Sequence, residues 1–483
     1  MVNDAGRIAL VAVMVCAAAP AAGGVGGDHA ATATADPERA AAGDPVTEAE
    51  ARIGHVVRLE DLLALARARN PDVLELRERA GAARERASGA GRLPDLELQA
   101  EIQNTPLTSP LSFRESEMWM LGLRQTFPAL GTRAARGRAA NAEAGVASES
   151  TRARERDVVR DVRRAYWEYH RAEQALRIRR EVIDLTRRVA DLARAAYESG
   201  RGSQQDVLRT AVEVARIQAE LGSDEQALRS AQVMLNALTG REPDAALGET
   251  AEVRSHDLRQ GLDELDATLV DRRPELVAAR RAIERSEASL DAARRQARLP
   301  TLMVGVDYGY MPRKEETATA AAMPAEESPA ATAAPEMDRH FYTVMVGVNL
   351  PWLNPGRKDA VREAERSLAA DRRALDAIRA TSRFQLRDAM ARYHAARIAF
   401  DQMDRDIVPK ARQSLEAAQG AFGVGRGDAL GLVDSLRSYL AIRLERERAL
   451  ASLEAALADV ERAMGDDVEA NRTPAPLNVQ ETP

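Results

Sequence analysis

One short pattern occurs twice in this chain and fixes most of what it can become. In the first copy Tyr197, Gly200, Arg201 and Gly202 are followed by Ser203, Asp206, Val207 and Leu208; in the second, Phe422, Gly425, Arg426 and Gly427 are followed by Asp428, Leu430 and Leu432. Long stretches of helical pattern flank both. Glycine at such a place supplies the left-handed backbone that ends one helix, and Ser203 or Asp428 caps the next. The chain is read as two long helical hairpins with tips at Gly200 and Gly425.

The repeat extends beyond the turns. Tyr169-His170 returns as Tyr393-His394, Arg92-Leu93-Pro94 as Arg298-Leu299-Pro300, and Asn70-Pro71, a capping residue and a first-turn proline, as Arg273-Pro274. Ahead of each hairpin the helical period gives way to strict alternation. Leu96, Leu98, Ala100 and Ile102 alternate with Asp95, Glu97, Gln99, Glu101 and Gln103; a second strand spans Met118 to Phe127, with Trp119, Leu121, Leu123 and Phe127 on one face. In the second half Leu302, Val304, Val306, Tyr308 and Tyr310, then Tyr342, Val344, Val346, Val348 and Leu350, form the apolar faces. Pro409 falls inside the last long helix, opposite Asp184 in the first half, and is expected to kink it.

The expected organisation is a signal peptide (1–22), an irregular leader (23–57) and a first repeat (58–240), with strand pair 92–127 and hairpin 131–239. A connector (241–258) leads to a second repeat (259–465), with strand pair 299–350 and hairpin 355–465, and then a tail (466–483). The inserted segment 311–338 is low in complexity and is expected to be disordered. The apolar run Ile8 to Ala19 after Arg7 carries the signal-peptide reading; Cys16, the one cysteine, is a candidate for lipidation, although Val15 precedes it.

Four strands with apolar faces leave an open edge, which lipid does not tolerate, and no segment is long and apolar enough for a spanning helix. Closure needs other chains, giving eight, twelve or sixteen strands for two, three or four copies. Asp95, Glu97, Glu101 and Asp307 would then face a wet lumen. Aromatics make up 4% and charged residues 30%, material for long, closely packed helices rather than a wide core. A net charge of -7, with Lys314, Lys358 and Lys410 scattered, leaves nucleic acid no footprint.

In this order and twice over, the residues resemble the outer-membrane efflux protein family, the TolC-like channel-tunnels. The likeness runs from about Val57 to Met464. It is carried by the two turns with their downstream Asp206 and Leu208, Leu432 and Asp434; by Phe127-Pro128 with Gly131-Thr132-Arg133; by Leu350-Pro351 with Gly356-Arg357; and by Ile407-Val408-Pro409. The resemblance implies a mainly α fold with a small β part: a homotrimer whose twelve-stranded barrel sits in outer-membrane lipid and continues as a helical tunnel across the periplasm. It implies tips that meet a periplasmic adaptor (membrane fusion) protein and an inner-membrane pump of RND type. It raises Gly200, Arg201, Asp206, Gly425, Arg426, Asp428 and Asp434 as tip residues that hold the entrance shut and meet the adaptor. Gly131 to Arg136 and Met345 to Pro351 most resemble the heavy-metal branch, which implies export of metal cations; a multidrug or type I secretion channel is the alternative.

No enzyme, cofactor or resident-metal constellation is expected. The six histidines, His29, His55, His170, His256, His340 and His394, lack second-ligand spacing, and no phosphate loop follows a strand. His170 and His394 hold equivalent places, where helix packing is the ordinary role. Met311, Met323 and Met337 border or lie in the inserted segment. A coiled-coil scaffold would show neither the alternation nor the leader, and a periplasmic adaptor would carry one hairpin rather than two.

Overall fold

The computed structural model describes residues 45–104, 118–200, 202–251, 256–258, 260–311, 340–424, 426–427, 429–466 and 473–474. The signal peptide, Cys16, His29, Met323 and Met337 lie outside them, as does the inserted segment from 312 onward. The chain divides into two units, Met1–Glu48 and Ala49–Pro483. Of the first, the described residues are 45–48, the start of helix α1 (Pro45–Ile53).

In the second unit the segment expected to be irregular is ordered up to Val57. Ala49 and Ile53, one helical turn apart, are buried, and strand β1 (Val56–Val57) pairs in parallel with β4 (Glu249–Thr250). The Gly, Ala and Asp composition hid three apolar residues that are fully or almost fully buried: Ala49, Ile53 and Val57. Helices α2 (Leu59–Arg69) and α3 (Pro71–Ala90) follow, divided at Asn70, whose side-chain oxygen accepts from the amides of Asp72 (3.1 Å) and Val73 (3.3 Å).

Strands β2 (Glu97–Gln103) and β3 (Met118–Phe127) form an antiparallel pair. Helix α4 (Thr132–Glu198) then runs 67 residues without a break, and α5 (Gln204–Leu238) returns. After the short strand β5 (His256–Asp257), the pattern repeats as α6 (Leu262–Arg272), α7 (Pro274–Arg298), β6 (Leu302–Tyr310) and β7 (His340–Val348). A 3₁₀ turn (Pro351–Leu353) leads into α8 (Gly356–Gln402), α9 (Val408–Gly423) and α10 (Ala429–Met464); a two-residue strand β8 (Thr473–Pro474) pairs with β5.

Helix α4 is the post of the molecule. Beside its first half lie α3, through Ala83 and Ala87 against Ala144, and α7, through Asp291 to Arg138 (2.7 Å) and Arg285 to Glu143 (2.8 Å). Beside its second half lie α5, through Arg179 to Asp224 and Glu220, and α10, through the buried pair Arg163 and Glu461. So α3 and α5 stack end to end on one flank of α4, and α7 and α10 on the other. The joints use repeat-equivalent bonds: Asn70 Nδ2 donates to Leu238 O (2.9 Å), and Arg273 donates to Ala463 O (3.2 Å). Arg273 thus reproduces the joint that Asn70 makes, without its cap of the following helix. Each joint satisfies a carbonyl that a helix end leaves orphaned.

The second long arm differs from α4. Between α8 and α9 a π-helical turn (Met403–Ile407) precedes Pro409. The proline ring crowds the carbonyl four residues back and offers that carbonyl no N–H, and the widened turn takes up both. The expected kink therefore takes the form of a π turn.

The four longer strands make one antiparallel sheet in the order β2-β3-β6-β7, with β2 and β7 at its edges. The face expected to be apolar is bare: Leu98 is 61% exposed, Val306 50%, Val344 69% and Val346 62%. On the other face Asp307 is not wet. It is 5% exposed, because Gly122 opposite it leaves room for the carboxylate to fold down against the sheet.

Candidate docking and gating tips

The first tip is built by backbone. Helix α4 ends as the Gly200 amide donates to Tyr197 O (2.9 Å) and the Gly202 amide to Ala196 O (3.0 Å), with Gly200 at φ +71. A Cβ on Gly202 would stand 3.0 Å from Tyr197 N and 3.1 Å from Ala196 C, so any larger residue there must push the backbone aside by a few tenths of an ångström. Ser203 then opens α5 with a capping box: its Oγ accepts from the Asp206 amide (3.1 Å), and the Asp206 carboxylate accepts from the Ser203 amide (3.4 Å) and from the Ser203 hydroxyl (2.8 Å). Asp206, singled out as a gate charge, is thus also part of the cap.

The second tip repeats the design. The amides of Arg426 and Gly427 donate to Ala421 O (2.9 and 3.0 Å), and a Cβ on Gly427 would lie 3.1 Å from Phe422 N. Arg426 is exposed. Arg201, Gly425 and Asp428 lie outside the described residues. Asp434, on α10, pairs with Arg437 at 3.7 Å.

Behind the tips the two hairpins share one core. Ile178, Val182, Ile183 and Val189 of α4 meet Ile217 of α5, Leu415 of α9 and Leu432, Val433, Leu436 and Leu440 of α10, with Phe422 packed against them. Alongside runs a chain of charges that sequence reasoning missed. Arg437 continues from Asp434 to Glu213 (2.6 Å), which also binds Arg216 (2.5 Å); Arg216 reaches Glu220 (3.0 Å), and Glu220 and Asp224 both hold Arg179. The series ties α10, α5 and α4 together. Glu213 is 4% exposed, and although burial pushes its carboxyl up, the Arg216 and Arg437 guanidiniums outweigh that and bring it down to about 2. The sequence shows only that Thr210, Glu213 and Ile217 fall on one helical stripe; the fold buries that stripe, and an acid within it demands a partner.

The two equivalent histidines part company. His170 is buried, its Nδ1 2.7 Å from Thr250 Oγ1, and burial lowers its pKa; His394 is exposed. Among the described residues no group of His, Cys, Asp and Glu is arranged to hold a metal ion, and no helix is long and apolar enough to cross a membrane.

Residues 62–241 match the family model for outer membrane efflux proteins. No curated protein matches the chain. Among solved structures, CusC, described for its transmembrane channel formation, is similar at 17% identity over 85% of this chain and 92% of its own, with a TM-score of 0.69. The CmeC outer membrane channel of Campylobacter jejuni is 14% identical over 86% and 88%, TM-score 0.68. The open state of the MtrE outer membrane channel of Neisseria gonorrhoeae is 18% identical over 85% and 89%, TM-score 0.65. These three lie at nearly the same likeness, so no branch stands out. The family consists of transport channels rather than enzymes. The match to the outer membrane efflux protein model spans the first repeat, residues 62–241, and the fold shared with these three structures extends over both repeats.

Proposed function

We propose that this chain is the outer-membrane duct of a tripartite exporter: three copies close a twelve-stranded barrel, their helices form a periplasmic tunnel, and the tips meet a periplasmic adaptor coupled to an RND-type pump. The observation that carries the reading is the sheet. The outer edges of β2 and β7 have no partner strand among the described residues, and the apolar face is exposed from Leu98 on β2 to Val346 on β7. Such a face is stable in lipid, and such edges only when another copy covers them. The duct is passive, and its cargo is heavy-metal cations, a reading that rests on the resemblance of Gly131 to Arg136 and Met345 to Pro351.

The tips form the gate. Asp206, Asp434, Arg201 and Arg426 bias it closed, the Glu213 and Arg437 pair holds the two hairpins of one subunit together behind it, and the adaptor exchanges its own contacts for these. Purified protein in planar bilayers should give a small, long-lived conductance. A tag at Ala330 should be labelled on intact cells, and deletion should sensitise cells to copper, silver, zinc or cobalt more than to hydrophobic drugs. No conductance and no surface labelling would defeat the duct; greater drug sensitivity would defeat the metal cargo alone.

A further inference from the structure

The four junctions between sheet and helices share a composition that the duct reading does not use. They are Arg92-Leu93-Pro94, Pro128 to Arg133, Arg298-Leu299-Pro300 and Leu350 to Lys358. Each carries an exposed leucine: Leu93 (39%), Leu130 (84%), Leu299 (38%) and Leu353 (71%), the last beside Trp352 at 58%. Strand register brings all four to one end of the sheet, where Phe127, Leu302 and Val348 stand in one row. At the opposite end Trp119, Tyr310 and His340 form another row, with ring centroids 5.3 and 5.0 Å apart.

The two rows are eight residues apart, roughly 27 Å along a strand. With the strands of an outer-membrane barrel tilted by about 40°, that is about 21 Å of height, short of the ~25 Å apolar band such barrels present. The exposed leucines and Trp352 lie where the missing height falls. Beyond them the charge is one-sided. Across residues 92–96, 128–133, 298–301 and 350–358 the basic residues are Arg92, Arg133, Arg298, Arg357 and Lys358, and Asp95 is the one acid. Arg92, Arg133, Arg298 and Lys358 are exposed; Arg133 Nε also donates to Gly91 O (3.0 Å), and Arg357 reaches Gln296 at 3.4 Å.

We propose that the four junctions form a belt seated in the inner leaflet of the outer membrane, with Leu93, Leu130, Leu299, Trp352 and Leu353 at the acyl boundary and the exposed Arg and Lys side chains on lipid phosphates. The belt rests on the duct reading, since it presupposes insertion, and it adds a preference for anionic headgroups. An amphipathic ring with cationic termini suits that boundary, with apolar bodies in the acyl layer and charges in the headgroup layer.

The test uses the full chain in liposomes, with tryptophan as the probe. The variant W119F/W167F leaves Trp352, and W167F/W352F leaves Trp119; each is quenched by phosphatidylcholine brominated near the headgroup or near the bilayer centre. The belt predicts that Trp352 is quenched strongly by the shallow bromines and weakly by the deep ones. If Trp119 is quenched and Trp352 is not, the protein inserts but the belt is wrong; if neither is quenched, the duct reading itself fails. In a second arm, R92Q/R133Q/R298Q/K358Q should retain phosphatidylglycerol over phosphatidylcholine through purification on the order of ten-fold less than the parent. Unchanged retention at unchanged oligomeric mass would overturn the headgroup contact.

Discussion

The two long arms, α4 and the pair α8 and α9, descend from one duplicated pattern yet are built for different work. Helix α4 is continuous and buried along its length, flanked by α3 and α5 on one side and α7 and α10 on the other. The second arm is interrupted by the Met403–Ile407 π turn, leaves Phe384 (69%) and Ile398 (60%) exposed, and in α9 buries Leu415 alone. A duplicated hairpin can thus supply a fixed post and a compliant arm without a change of fold. What separates them is position within the subunit, central for one and at the edge for the other, and a single proline at the place where the post has Asp184.

The largest effect expected from breaking this comparison lies at the join between hairpins. Arg437→Glu replaces a half-exposed guanidinium by a second acid set against the buried Glu213, which then keeps Arg216 alone, and the reversal should cost on the order of 3 kcal/mol. The purified variant should melt earlier than the parent and, on the proposed duct reading, conduct more. Exchanging the arms' key residues comes next. Asp184→Pro puts a proline into the unbroken post and should cost about 3 kcal/mol or more, whereas Pro409→Ala should change stability by under ~1 kcal/mol and chiefly alter open probability. Equal costs in thermal melts would mean that the two arms are mechanically alike.

The tips sharpen the comparison on a smaller scale. Gly202→Ala meets backbone at 3.0 and 3.1 Å, and Gly427→Ala at 3.1 and 3.3 Å, so the first should impair export more while both still assemble. Ser203→Ala removes one half of the capping box and should lower stability by about 1 kcal/mol. The smallest effect is on pH. A carboxyl whose folded pKa is depressed contributes stability above its unfolded value and loses it as pH falls through the folded one. The Glu213 contribution should therefore be intact at neutral pH and fade only between about 4.5 and about 2, and Glu213→Gln should flatten the melting curve in that window.

Much of this was legible because two periodicities are clean. Alternation placed the strand from Met118 to Phe127 on its observed bounds, and the Gly200 turn fell where Ser203 starts the next helix. What escaped was tertiary. Ala49, Ile53 and Val57 form too short a run to rise above a Gly- and Ala-rich background, and Arg273 does at one joint what Asn70 does at the other, a substitution that chemistry allows and pattern does not show. Glu213 hid in plain helical sequence because its partner Arg437 lies 224 residues away. Asp307 was assigned to water since nothing in a strand pattern reveals that Gly122 sits opposite it.

The central claim is that the open edges β2 and β7 are closed by other copies of the same chain. The mass of the detergent-extracted particle, measured by native mass spectrometry after the micelle is stripped, tests it most directly. The account predicts three chains per particle, unchanged on dilution. A particle of one chain, with its sheet edges uncovered, would contradict it.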